Sequence, residues 1–172
     1  MHIRNFEFKA KVEDLEKMEQ RLLMLNPKYK GMDHQIDTYF NVQHGRLKLR
    51  EGNIENALIN YEREDIADSK ESKIILYRHQ PDGALKKILI KQLGVKVVVD
   101  KKRKIYFIDN VKFHFDEVEE LGVFIEVETI DDRNRFDIDE LKRQCNRYFD
   151  FFELKKENLI DKSYSDLMLA IP

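Results

Sequence analysis

The sequence predicts an α+β protein built mainly from antiparallel strands, with α-helices set among them at intervals. Three observations carry this. Apolar and polar residues alternate with period two through most of the chain. Turn dipeptides such as His44-Gly45, Gly52-Asn53 and Asp109-Asn110 fall between the alternating runs, and three segments switch to helical spacing. At 172 residues the chain is about one domain long, and residues 1–172 are expected to form one.

Taken in order, residues 3–12 place Asn5, Glu7, Lys9 and Lys11 on one side and Phe6, Phe8 and Ala10 on the other. Residues 34–42 form a second strand. It turns through His44-Gly45 into a third at 46–51, where Arg46, Lys48 and Arg50 oppose Leu47 and Leu49. Strands over 57–64 and 72–79 follow, joined by a polar link at 65–71. Residues 95–103 and 105–108 read as a further pair. Asp109-Asn110 suits a tight hairpin into 111–118, and 123–130 closes the series. Among the helices, 13–25 carries Leu15, Met18, Leu22 and Leu25 at helical spacing and is stopped by Pro27. Residues 81–93 begin with Pro81 in the first turn and end at Gly94. Residues 137–149 open on Asp137 and Glu140, a capping pattern, and bury Ile138, Leu141, Cys145 and Tyr148. A short helical turn is expected at 166–171.

Composition removes several classes of function. Charged residues make up 37% of the chain against about 25% in an average protein. The 42% of hydrophobic residues still suffices for a core, so the charge is not a mark of disorder. The 31 bases and 33 acids nearly cancel, which argues against nucleic acid as a partner held by bulk positive charge. No apolar run approaches a membrane span, the opening residues lack a signal-peptide pattern, and Cys145 has no second cysteine to pair with. A cytoplasmic protein with no membrane partner is expected. The histidines show no metal-type spacing, although His114 alternates with Asp116 and could share an interior face with it. There is no glycine-rich phosphate loop, and Cys145 reads as core rather than nucleophile. Phe149, Phe151 and Phe152 either pack the last long helix onto the sheet or serve a homodimer contact.

The charged sides of the strands admit two readings. They are the wet face of an open antiparallel sheet, or they line a closed barrel packed outside by helices. The charges are segregated by strand, with Lys48 beside Arg50, Lys101 beside Arg103, and Glu126 beside Glu128. A surface shaped only for solubility intersperses its signs. Clustered carboxylates invite a hard divalent cation, and clustered bases invite a polyanion with several phosphates. Together they point to a phosphate chain chelated to a metal.

Several segments in order carry a family resemblance: N-F-E-F-K at 5–9, D-T-Y-F at 37–40, G-R-L-K-L-R-E at 45–51, Y-E-R at 61–63, V-D-K-K-R at 99–103, H-F-D-E-V at 114–118, L-G-V-F-I-E-V-E at 121–128 and S-Y-S-D-L at 163–167. With these the chain resembles the CYTH superfamily of triphosphate tunnel metalloenzymes, and most of all its class IV adenylyl cyclase-like members. The resemblance implies an eight-stranded antiparallel β-barrel enclosing a hydrophilic tunnel, with α-helices outside. It implies that Glu7, Glu126 and Glu128 hold Mg²⁺ or Mn²⁺. Lys9, Lys48, Arg50, Arg63, Lys101 and Arg103 would clamp the phosphates and act in catalysis, and Asp116 would orient a base or help a second metal. Lys73, just after the polar link, is added as a phosphate-facing lysine. One departure stands out: the family opens Glu-x-Glu-x-Lys, where this chain has Asn5, Glu7 and Lys9. An amide contributes no negative charge, so weaker metal affinity at one position, or operation with a single metal, is expected.

Two reactions suit such a tunnel. A cyclase converts ATP to cyclic AMP and pyrophosphate. A triphosphatase hydrolyses tripolyphosphate, thiamine triphosphate or a nucleoside triphosphate. Likeness favours the cyclase. A non-catalytic receptor for a phosphorylated ligand is the reading from another class.

Overall fold

The computed structural model describes residues 2–63 and 70–172, and the side chains of 3–62 and 73–172. In chain order these run β1 (His2–Lys11), α1 (Leu15–Leu23), β2 (Lys28–Phe40), β3 (Arg46–Glu51), β4 (Ala57–Arg63) and β5 (Lys70–Arg78). There follow α2 (Gly83–Leu93), β6 (Val95–Ile108), β7 (Val111–Val118), β8 (Gly122–Asp131) and α3 (Ile138–Phe151), then a 3₁₀ turn at Lys156–Asn158 and α4 (Tyr164–Leu169). The eight strands close into an antiparallel barrel in the order β1-β5-β4-β3-β2-β6-β7-β8, and β8 pairs back onto β1. Closure decides between the two sequence readings. The charged rows face a bore, and the barrel has no open sheet edge to manage.

Alternation explains why the barrel holds together. On β1, Phe6, Phe8 and Ala10 point outward and join Phe113 and Phe115 of β7 and Ile125 and Val127 of β8 in one buried cluster. Helices α1 and α3 cover it with Leu22, Leu141, Cys145 and Tyr148, three of which are on α3 at the spacing read from the sequence. Each helix is started by an aspartate. The Asp14 side chain accepts from the Lys17 amide at 3.0 Å and Asp137 from the Glu140 amide at 2.8 Å. Thr129 fastens α3 to the wall, its hydroxyl lying 2.9 Å from the Phe6 carbonyl and 3.0 Å from that of Leu141. Phe152 is fully buried, and Phe149 meets Phe8 edge-on at 5.6 Å, so these aromatics pack the helix to the barrel. Among the described residues no helix is long and apolar enough to cross a membrane.

Most boundaries shift by a residue or two, and four differences carry a physical reason. The strands expected at 95–103 and 105–108 are one, because Lys104 keeps its place in the ladder between Met32 and Phe115. Strand β2 begins at Lys28 rather than residue 34. Its first residues are mostly exposed, so they carry no apolar alternation, yet they pair with β6 through a bulge between Tyr29 and Gly31. Gly31 sits there at φ +135°, a conformation open to glycine. Helix α2 starts at Gly83, where Asp82 caps the Ala84 amide at 2.8 Å, and α4 starts at Tyr164 under a Ser163 cap. The link expected over 65–71 lies outside the described residues up to Ser69.

The outer cluster generates one stability prediction. Phe113 has no solvent exposure and meets Tyr148 edge-on at 4.7 Å. Phe113→Ala should lower the unfolding free energy by about 3–5 kcal/mol, read as a lower urea midpoint.

Candidate functional site

The inward rows enclose a cavity of ≈ 860 Å³ lined, among others, by Glu7, Lys9, Lys48, Arg50, Lys101, Arg103, Glu126 and Glu128. At one end α4 turns Tyr164 into the barrel. Its hydroxyl donates to Asp116 at 2.7 Å, and the Lys9 ammonium sits 3.9 Å from the ring centroid. Apolar inward residues gather around Tyr164, among them Tyr39, Val99, Val118 and Phe124, and fill that end.

The basic side is held by two aspartates. Asp37, fully buried on β2, lies opposite Arg50 in the ladder and takes that guanidinium along one edge, at 2.9 Å to Nε and 2.8 Å to Nη2. The same carboxylate lies 2.8 Å from Lys101 Nζ and 3.1 Å from Lys48 Nζ. Burial alone would raise the Asp37 carboxyl, but Arg50, Lys101 and Lys48 hold it well below its ordinary range. Asp116 repeats the arrangement for Arg103, at 2.7 Å to Nε and 2.6 Å to Nη2. One carboxylate cannot neutralise three cations. Burial, and then Arg50, Arg103 and Lys48 against the attraction of Asp37, bring the Lys101 amine down to about 7.

The β3–β4 loop adds a further acid. Asp33 accepts from the Ile54 and Glu55 amides, both at 2.9 Å, and fixes the loop so that Glu55 reaches Arg50 Nη1 at 3.2 Å and Lys112 of β7. A side chain at Gly52 would put Cβ 2.6 Å from the Asp33 carboxylate, so the close approach depends on glycine.

The acidic side lies where the barrel closes. Glu7 is directly opposite Glu128, and Lys9 opposite Glu126. Glu126, Glu128 and His114 each bring one ligand atom within 4.8 Å of the others. Asn5, fully buried, donates its amide to Glu128, while its Oδ1 and both ring nitrogens of His114 meet no hydrogen-bond partner among the described residues. Burial, reinforced by Glu7 and Glu126 against Lys112, pushes the Glu128 carboxyl up to about 7. Burial, Arg103 and Lys112 bring His114 down to about 4 despite Glu126, so the imidazole is neutral. Glu126 is held well below the ordinary range: burial opposes this, but His114, Lys9 and Arg103 outweigh it. Repelling carboxylates and a neutral imidazole with one unmet lone pair suit a divalent cation.

The wall made by β4 and β5 is mostly apolar, with Arg78 at the end of β5. Ala57, Ile59 and Tyr61 of β4 and Ile74 and Leu76 of β5 line the cavity, on strands lying across the barrel from β6 and β7.

Of the residues named from the sequence, Glu7, Lys9, Lys48, Arg50, Lys101, Arg103, Glu126 and Glu128 share the cavity, and Asp116 lies behind it as the partner of Arg103 and Tyr164. Lys73 is a correction. It is exposed, and on β5 it alternates with the lining residues Ile74 and Leu76, so strand parity turns it outward. The Arg63 side chain lies outside the described residues. Sequence reasoning missed Asp37, Glu55 and Tyr164 as members of the site, and left His114 out of the ligand set. Asp37 was within reach, since it shares the parity of Tyr39 in a quoted segment, whereas Glu55 sits in a loop with no periodic signal.

Fold and site together define a hydrophilic-bore barrel with basic and acidic sides facing a shared cavity. Residues 4–164 match the model of the CYTH domain family, and the chain belongs to that family. It is 28% identical to a Methanocaldococcus jannaschii protein named "Putative adenylate cyclase", over 94% of this chain and 96% of that one. A conserved hypothetical protein from Pyrococcus furiosus has the same fold, with a TM-score of 0.81, 23% identity and coverage of 95% of this chain and 99% of that one. A Hippeastrum protein described as having a dominant triphosphatase activity shares the fold at a TM-score of 0.64 and 10% identity, over 98% of this chain and 94% of that one.

Two predictions follow from the basic side. Asp37→Asn should lower the unfolding free energy by about 3–5 kcal/mol in chemical denaturation, because it strands buried cations. Anion binding needs Lys101 protonated, so affinity for inorganic triphosphate should fall as pH rises above about 7 toward the ordinary lysine value of 10.5. Calorimetry in buffers of different ionisation heat should record proton uptake in that window. Lys101→Arg should remove that part of the dependence, which separates it from titration of the phosphate itself.

Proposed function

We propose that this chain is a divalent-metal-dependent enzyme acting on an organic triphosphate held in the bore, and that it converts ATP to cyclic AMP and pyrophosphate. The observation that carries the reading is the division of the cavity wall into a basic side, an acidic side and a mostly apolar side. Asp37 and Asp116 each occupy one edge of a guanidinium and Glu55 takes one Nη1 N–H of Arg50, and the remaining N–H groups of Arg50 and Arg103 are the ones that would donate to phosphoryl oxygens. Lys48, Lys101 and Lys9 add ammonium donors around the same cavity. The wall of Ile59, Tyr61, Ile74 and Leu76 offers an apolar surface that a bare phosphate chain has no use for and a nucleobase does. A volume of ≈ 860 Å³ falls within the usual range of about 300–1,000 Å³ for pockets holding ligands of this size.

In the cyclase reaction the 3′-hydroxyl oxygen bonds to the α-phosphorus, the bond to the α–β bridging oxygen breaks, and the hydroxyl proton is released. Negative charge moves onto the departing pyrophosphate. Donors already held in place by Asp37 and Asp116 stabilise that charge without reorganising. Glu126 and Glu128, with Glu7 beside them, would hold Mg²⁺ or Mn²⁺, which supplies Lewis-acid charge to phosphoryl oxygens. The relative named for adenylate cyclase supports this reaction over hydrolysis, which the same electrostatics would also serve.

The deciding assay incubates the chain with Mg²⁺ or Mn²⁺ and, separately, ATP, tripolyphosphate and thiamine triphosphate. Cyclic AMP with pyrophosphate is expected from ATP. Orthophosphate instead would establish a triphosphatase, and tight binding with no turnover would establish a receptor. Glu126→Gln should abolish metal-dependent turnover and leave the circular dichroism spectrum unchanged.

A further inference from the structure

His114 is 2% exposed, sits on β7 facing the bore, and has two ring nitrogens that meet no hydrogen-bond partner among the described residues. Its nearest carboxylate oxygen is Glu126 Oε1, 3.6 Å from Nδ1. A buried imidazole whose ring nitrogens have nothing closer than this loose contact with Glu126 is costly, and most buried polar groups are satisfied. This one points into a group where Glu126 and Glu128 already offer oxygens within 4.8 Å. Asn5, at the position where the family pattern has a carboxylate, turns its N–H toward Glu128 rather than an oxygen toward the group. One acidic oxygen is thus replaced by a donor, and the group is completed from the neighbouring strand by a nitrogen.

We propose that His114 is a direct ligand of the cation held by Glu126 and Glu128, which makes this a mixed nitrogen–oxygen site selecting borderline transition ions such as Co²⁺ over Mg²⁺. The inference rests on the reading that the bore holds a divalent cation, and adds which atoms hold it and which ion they favour. Imidazole nitrogen binds first-row transition ions well, whereas Mg²⁺ prefers an all-oxygen octahedron that keeps several waters. Two carboxylates and one imidazole also leave coordination positions open for phosphoryl oxygens.

The test uses tag-free full chain without substrate. Electron spin echo modulation on the Mn²⁺-loaded protein should show a directly bound ¹⁴N. Titration calorimetry should give tighter binding of Co²⁺ than of Mg²⁺. His114→Gln should weaken Co²⁺ binding by about tenfold or more, since even outer-shell losses cost roughly 10–100-fold, with a smaller change for Mg²⁺. Cation binding that Glu126→Gln removes, but that shows no nitrogen coupling in the wild type, would overturn the assignment of His114 and leave the metal-dependent reading standing. An absence of saturable binding of any of these ions to the wild type would overturn both. The spin-echo measurement needs no variant, so it decides even if His114→Gln fails to fold.

Discussion

The bore depends on Asp37. Its single carboxylate, without solvent contact, holds Arg50 along one edge and lies within 3.1 Å of Lys48 and 2.8 Å of Lys101. Without it, bases from β3 and β6 would face each other across β2 at low dielectric, where like charges repel strongly. With it, Arg50 stays ionised and aimed, while Lys101 keeps its proton only up to about 7, so the bases remain collectively under-compensated. That imbalance is what a bound polyanion would relieve. Asp116 does the same for Arg103 and also receives Tyr164, which links the basic side to the helix filling one end of the barrel.

Much of this was legible in the alternation. The residues that face the bore are those of one parity on each strand, and the opposite parity places Phe6, Phe8, Phe113, Phe115, Ile125 and Val127 outside under α1 and α3. Parity is also what turns Lys73 outward, because its neighbours Ile74 and Leu76 take the inner positions. Closure was not legible from alternation, since an open sheet and a barrel have the same period; the family segments supplied it. Glu55 was hidden for a different reason. It acts from a loop whose shape is fixed by Asp33 and the missing side chain of Gly52, contacts that join residues about twenty positions apart and leave no periodic trace.

The two interior chemistries are kept apart by strand order. Going around the barrel, the mostly apolar inner faces of β5 and β4 are followed by the basic face of β3, the Asp37 strand, and the basic face of β6. β7 follows with Lys112, His114 and Asp116, and the acids of β8 and β1 close the circle. A buried carboxylate stands among the bases it holds, as Asp37 does between Arg50 of β3 and Lys101 of β6, and Asp116 holds Arg103 while accepting from Tyr164. Ionised groups buried at this density are tolerated because nearly every one has such a partner.

The acidic corner is the exception. Glu128 faces Glu7 and Glu126 and receives only a neutral amide from Asn5 and the field of Lys112, so its proton is retained up to about 7. A carboxylate at position 5 would add a third repulsion at the same place in the metal-free chain, and the neutral amide reduces it. The chain thus trades negative charge that would strengthen a cation's grip for a barrel that closes with less repulsion when no cation is present. A neutral imidazole from His114 fits the same compromise, because it offers a lone pair to a metal without adding charge to an already crowded corner.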